Sequence, residues 1–163
     1  MLIVRKLGYP GHEEAGFGAL GEEGALVPEA LAHLDPHARG YDIVQSAVAQ
    51  KRKEIEEQIR MYRGERARRS AAGATVIVVD DGIATGFTFA AALAIVRRDR
   101  PRRLIAAIPV ATADGAELVS RYCDEVRLLL AAERGRFFAV SLYYESFGQV
   151  SDEEVASLLA GRE

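Results

Sequence analysis

The chain has 163 residues, of which 49% are apolar and 28% charged, with a formal net charge of −3. That size supports one domain with a real core, and the mildly acidic balance speaks against a broad nucleic-acid-binding surface. A single cysteine, Cys123, excludes an internal disulfide or a cysteine-based metal centre and fits a reducing cytosol, and no run approaches the roughly 18 apolar residues of a membrane span.

Residues 2–4, LIV, are a short apolar run ending in Arg5 and Lys6. They read as a strand near the start of the chain, too short before its charges for a signal peptide. Residues 8–16, GYPGHEEAG, carry glycines and a proline and predict a mobile loop. Residues 17–27 read as strand pieces broken by glycine, and Pro28 opens a short helix through Leu34. From Tyr41 to Arg63, Ile43, Val44, Ala47, Val48, Ile55, Ile59 and Tyr62 recur at helical spacing, which predicts a long amphipathic helix stopped by Gly64. Residues 65–73 form a polar link.

The remainder alternates. Residues 75–81 are a strand running into two acids, residues from Thr85 to Asp99 a helix, and 102–111 a strand. A helix over 114–123, a strand over 125–131 and a further strand over 136–144 follow. The chain closes with a helix over 151–160, with Ser151 as N-cap and Glu154 three residues later. This alternation predicts an α/β fold with a mainly parallel sheet flanked by helices, and a ligand site at the carboxyl ends of its strands.

The stretch VIVVDDGIATGFT, residues 76–88, falls at such an end. Gly82 and Gly86 allow tight turns and close approach to a ligand. Thr85 and Thr88 offer hydroxyls, and the helix that begins there presents free backbone N–H groups, an anion site suited to phosphate. Asp80 and Asp81 repel phosphate but accept hydrogen bonds from hydroxyls, and can hold Mg²⁺ directly or through water. A ligand with a phosphate at one end and a diol nearby meets this description, and a ribose 5-phosphate is such a ligand. The alternatives are an ordinary strand–loop–helix turn with solvated acids, and a receiver or phosphohydrolase domain.

The same residues closely resemble the phosphoribosyl-pyrophosphate binding motif of type I phosphoribosyltransferases. VRKLGYPGHEE, RMYRGER and YYESFGQVSDEEV resemble one bacterial branch of that family, so the likeness covers essentially the whole chain. It implies the type I phosphoribosyltransferase (Rossmann-like) fold as one domain over 1–163, with 41–64 as a helical hood or subunit contact. It further implies that Asp80 and Asp81 bind the ribose hydroxyls and act in catalysis. Gly82 and the run Ala84, Thr85, Gly86, Phe87 and Thr88 then hold the substrate, the last five around the 5-phosphate. The implied reaction displaces pyrophosphate from the ribose by a nitrogen nucleophile, with Mg²⁺ carried mainly by the pyrophosphate. A cytoplasmic homodimer with no nucleic-acid or membrane partner is expected.

Members of the family begin with a further strand ending in a glycine-rich pyrophosphate turn. This chain starts at what resembles the next strand, whose Arg5 and Lys6 match a basic pair near the pyrophosphate or are a solvated strand end. That departure keeps open a second reading, a non-catalytic sensor of phosphoribosyl pyrophosphate or a nucleotide. The loop over 8–16 corresponds to a lid, hinged at Gly8 and Gly11, with His12, Glu13 and Glu14 approaching the substrate or merely exposed; a metal site there lacks a second histidine. Tyr144, with Tyr143, Glu145 and Phe147, stands where an acceptor base stacks, or packs at a strand end. Arg60, Arg63 and Arg66 share a helix face that binds an acidic group or is solvated. Cys123 reads as inert packing, and His33 and His37 as surface residues.

Overall fold

The computed structural model describes residues 2–9, 12–26, 40–133 and 137–160. Three strands come first, β1 (Val4–Tyr9), β2 (His12–Gly21) and β3 (Gly24–Leu26). They form an antiparallel sheet in that order. The expected mobile loop over 8–16 is therefore corrected: apart from residues 10 and 11, which lie outside the described residues, it is the continuation of both strands. Gly8 pairs with Gly16 and Tyr9 with His12, with register shifts on either side of Gly8. Glycines tolerate such irregularity, and the cross-strand hydrogen bonds that hold a ribbon together leave no mark in composition. The short helix expected from Pro28 lies outside the described residues.

Helix α1 (Tyr41–Arg63) spans the residues its spacing predicts, and Gly64, at φ 60°, ends it by donating its N–H to the carbonyls of Ile59 and Arg60. Its buried residues Val44, Ala47 and Ile55 pack on Ile3, Leu7, Phe17 and Leu20 at the antiparallel sheet. Burial of each large aliphatic side chain in this cluster is worth about 1.5–3 kcal/mol.

The second half is built from β4 (Thr75–Val79), α2 (Phe87–Arg98), β5 (Arg103–Thr112), α3 (Ala113–Ser120) and β6 (Glu125–Ala132). The three strands are parallel in the order β4-β5-β6. The strand expected over 136–144 is not formed among its described residues, 137–144. Val140–Tyr143 is a 3₁₀ turn, and Phe137 stacks on Tyr143 with ring centroids 5.6 Å apart. A short apolar run does not reveal whether its side chains pack on each other or its backbone joins a sheet. Helix α4 (Asp152–Ala160) starts as expected, with the Glu154 N–H donating to the Ser151 hydroxyl at 3.2 Å.

Helix α2 holds the two sheets together. Its residues Phe89, Ala90, Ala91, Leu93, Ile95 and Val96 are all buried, as a helix apolar around its circumference requires. One side meets Leu104, Ala106 and Ile108 of β5. On the other, the Cδ1 methyl of Ile95 presses on Gly21 of β2, where a Cβ would have to displace it. Arg98, at the end of α2, donates to the Glu23 carbonyl at 2.8 Å. The β2–β3 turn thus sits at the carboxyl end of α2. The far face of the parallel sheet is open, with Ile77 59% and Leu129 88% exposed. No helix among the described residues is long and apolar enough to cross a membrane.

Candidate functional site

β4 delivers Asp80 and Asp81 to the carboxyl edge of the parallel sheet, where both are exposed. The Asp81 N–H donates to Asp80 Oδ1 at 3.0 Å. The next residue but one, Ile83, turns inward. It is 3% exposed and bridges to Ala111 in parallel. Its N–H donates to the Val110 carbonyl at 2.9 Å, and its own carbonyl accepts from the Thr112 N–H at 3.0 Å. The loop is thereby stitched to the end of β5 at its middle, which leaves the acids on one side and Ala84 and Thr85 on the other facing solvent.

Three further contacts set the loop's shape. The Thr112 hydroxyl donates to the Ala84 carbonyl at 2.5 Å and accepts from the Gly115 N–H at 2.9 Å, so one side chain caps α3 and tethers the loop. Gly86 has φ 82°, and a Cβ there would lie 2.9 Å from the Gly115 carbonyl oxygen. Only glycine suits both the left-handed backbone and the close approach. Gly86 is also the N-cap of α2 and offers no side-chain cap. The first N–H groups of α2 have no intrahelical acceptor, and the positive end of the helix dipole lies beside them.

The Tyr144 hydroxyl donates to the Asp81 carbonyl at 2.6 Å, and the Tyr144 ring lies 5.3 Å from that of Phe147. Tyr144 therefore tethers the backbone of the acid pair. Val140 closes the loop from the same segment, packing where a side chain on Gly82 would stand. Desolvation of its carboxyl pushes Asp80 up to about 6, helped by the Asp81 charge and opposed by the Asp81 N–H. No cation is paired with either acid among the described residues.

The structure gathers Asp80, Asp81, Gly82, Ala84, Thr85, Gly86, Phe87, Thr88 and Tyr144 around one loop. Arg5 is not among them. It sits on β1 opposite Leu20, where its charge acts on the Tyr62 hydroxyl, and it makes no hydrogen bond or ion pair to residues 80–88 among the described residues. Lys6, the next residue of β1, pairs with Ala19 and points to the opposite face. His12, Glu13 and Glu14 lie in β2. Arg63 is committed to Glu22 at 2.8 Å, while Arg60 and Arg66 are exposed. Tyr143 packs on Phe137, and Glu145 is exposed. The Cys123 thiol is half-buried and raised by desolvation. His33 and His37 lie outside the described residues. Thr112 and Gly115 escaped the sequence reading, although a threonine three residues before a glycine at a helix start is a capping signal.

Comparison with known proteins assigns the class. The family profile "Phosphoribosyl transferase domain" matches residues 26–145. The chain belongs to that family and has its type I α/β fold. It is 37% identical over 163 residues to two curated Mycobacterium tuberculosis proteins, "Putative phosphoribosyl transferase Rv0571c" of strain H37Rv and its counterpart MT0597 of strain CDC 1551. The match covers 98% of this chain but 35% of those proteins, so the chain spans about a third of their length. A crystal structure of TT1426 from Thermus thermophilus superimposes with a TM-score of 0.75 at 33% identity, over 98% of this chain and 74% of that one.

Proposed function

We propose that this chain binds phosphoribosyl pyrophosphate and transfers its ribose 5-phosphate to a nitrogen nucleophile of the nucleobase class. The observation that carries the reading is the joining, in one loop, of two exposed carboxylates without cation partners to the uncapped amino end of α2. In this reading Asp80 and Asp81 accept hydrogen bonds from the ribose 2- and 3-hydroxyls. The N–H groups of residues 84–88 and the hydroxyls of Thr85 and Thr88 hold the 5-phosphate. As the bond to pyrophosphate breaks, positive charge develops on the ribose, and the nearby carboxylates stabilise it. Tyr144 keeps the Asp81 backbone in place and offers a ring to the acceptor.

The residues present suit a magnesium ion that arrives on the substrate. Mg²⁺ keeps most of its waters and needs only one or two protein carboxylates, which Asp80 and Asp81 would supply directly or through water. When bound, the ion neutralises the leaving pyrophosphate.

Arg5 makes no hydrogen bond or ion pair to residues 80–88 among the described residues, which favours a second reading, a binding protein of this fold that senses the ligand without turning it over. Calorimetric titration with phosphoribosyl pyrophosphate and Mg²⁺ tests both. Binding that is lost in Asp80→Asn/Asp81→Asn supports the site, and release of pyrophosphate with an added nucleobase separates enzyme from sensor. A well-folded parent chain that fails to bind overturns both.

A further inference from the structure

A cavity of about 410 Å³ opens at the opposite end of the parallel sheet from the acid loop. Val76 lines it four residues before Asp80, about 13 Å back along β4. Val96 lines it ten residues after Gly86, about 15 Å along α2. Its floor is apolar, made by Val76 and Val96 with Leu2 and Leu159. The rim is arginine: Arg63, Arg66, Arg68 and Arg69, with no acidic residue in the lining among the described residues.

The four arginines are not equivalent. Arg63 pairs with Glu22, and Arg68 with Asp99 and Glu23. Arg66 spends its Nε on the Arg63 carbonyl at 3.2 Å, and neither Arg66 nor Arg69 has a carboxylate partner among the described residues. Arg63 Nε is buried without an acceptor, a donor that native structures rarely leave unmet. The Tyr62 hydroxyl donates to Asp152 and clamps α4 as one wall. The volume lies in the range of small-molecule sites, which combine an apolar lining with a few fixed polar groups.

We propose that this cavity is a binding site, separate from the acid loop, for a small amphipathic anion. Its apolar body lies on Leu2, Val76, Val96 and Leu159. Its oxyanion, carboxylate or phosphate, is received by the guanidinium groups of Arg66 and Arg69, whose planar donor pairs match such groups.

The probe is 1-anilinonaphthalene-8-sulfonate, an aromatic body with one anionic group, followed by fluorescence and calorimetry on the full chain. One saturable site is expected. Arg66→Ala/Arg69→Ala should weaken it tenfold or more, and Ala67→Trp, on the exposed rim, should block it; circular dichroism checks that both variants are folded. Octanoate should displace the probe at least tenfold better than either 1-octanol or inorganic phosphate, and ribose 5-phosphate with Mg²⁺ should not displace it. No saturable binding, or binding unchanged in both variants, overturns the proposal. So does loss of binding in Ile77→Lys/Leu129→Lys, which places the probe on the open sheet face. Displacement by octanol equal to that by octanoate removes the anion recognition, and displacement by ribose 5-phosphate removes the separateness of the site.

Discussion

Asp80 is where structure and function pull in opposite directions. Its folded pKa of about 6 lies above the ordinary 3.8, so between those values the folded chain holds a proton that the unfolded chain has released. Asp80 therefore lowers stability as pH rises from about 4 to 6. We expect Asp80→Asn to melt at a higher temperature than the parent at pH 7.5, with the difference vanishing below pH 4 in scanning calorimetry. The ribose diol needs the ionised carboxylate, so affinity for phosphoribosyl pyrophosphate should be flat above pH 7 and fall towards tenfold per unit below about 6. A pH-independent affinity would remove Asp80 from the site. Thr112 makes a second residue-scale test. Thr112→Val loses the cap on α3 and the tether on Ala84, a cost of about 1–2 kcal/mol in denaturant unfolding, and the loosened loop should also bind substrate less tightly.

Among the elements, α2 carries the strictest packing. Its fit against β2 depends on the absence of a side chain at Gly21. Gly21→Val should cost about 1–3 kcal/mol through overpacking; a neutral result would mean that the two sheets adjust independently. Gly86→Ala tests the other end of the helix. Its φ of 82° and the 2.9 Å approach to the Gly115 carbonyl both oppose a Cβ, so about 1–3 kcal/mol is expected from backbone strain. α1 was legible because it is long and its apolar residues repeat at helical spacing, and α2 because it is an alanine-rich apolar run that alternates with strands and ends in Arg97 and Arg98. The middle of the ribbon, residues 8–16, was not, because it is polar and glycine-rich and its order comes from pairing with a partner strand. The segment 136–144 misled in the opposite sense, since its apolar residues suggest a strand but its aromatics pack on one another.

For the whole molecule, the open face of the parallel sheet is the main unfinished surface. Ile77, Val79 and Leu129 are exposed on a sheet whose β4 is an edge strand, and apolar faces of this kind mark interaction sites. We read it as the contact of a homodimer. Sedimentation equilibrium should find a dimer, and Val79→Lys/Leu129→Lys should give monomers; a monomeric parent would reject this. The sequence by itself determined the α/β alternation, the long helix and the loop from Asp80 to Thr88, because each rests on local periodicity or on neighbours within a few residues. Tertiary structure alone decided that Thr112 and Tyr144 hold that loop, and that Arg66 and Arg69 rim a cavity with Leu2 and Leu159. Those contacts join residues far apart in the chain, and only the packing of both sheets on α2 brings them together.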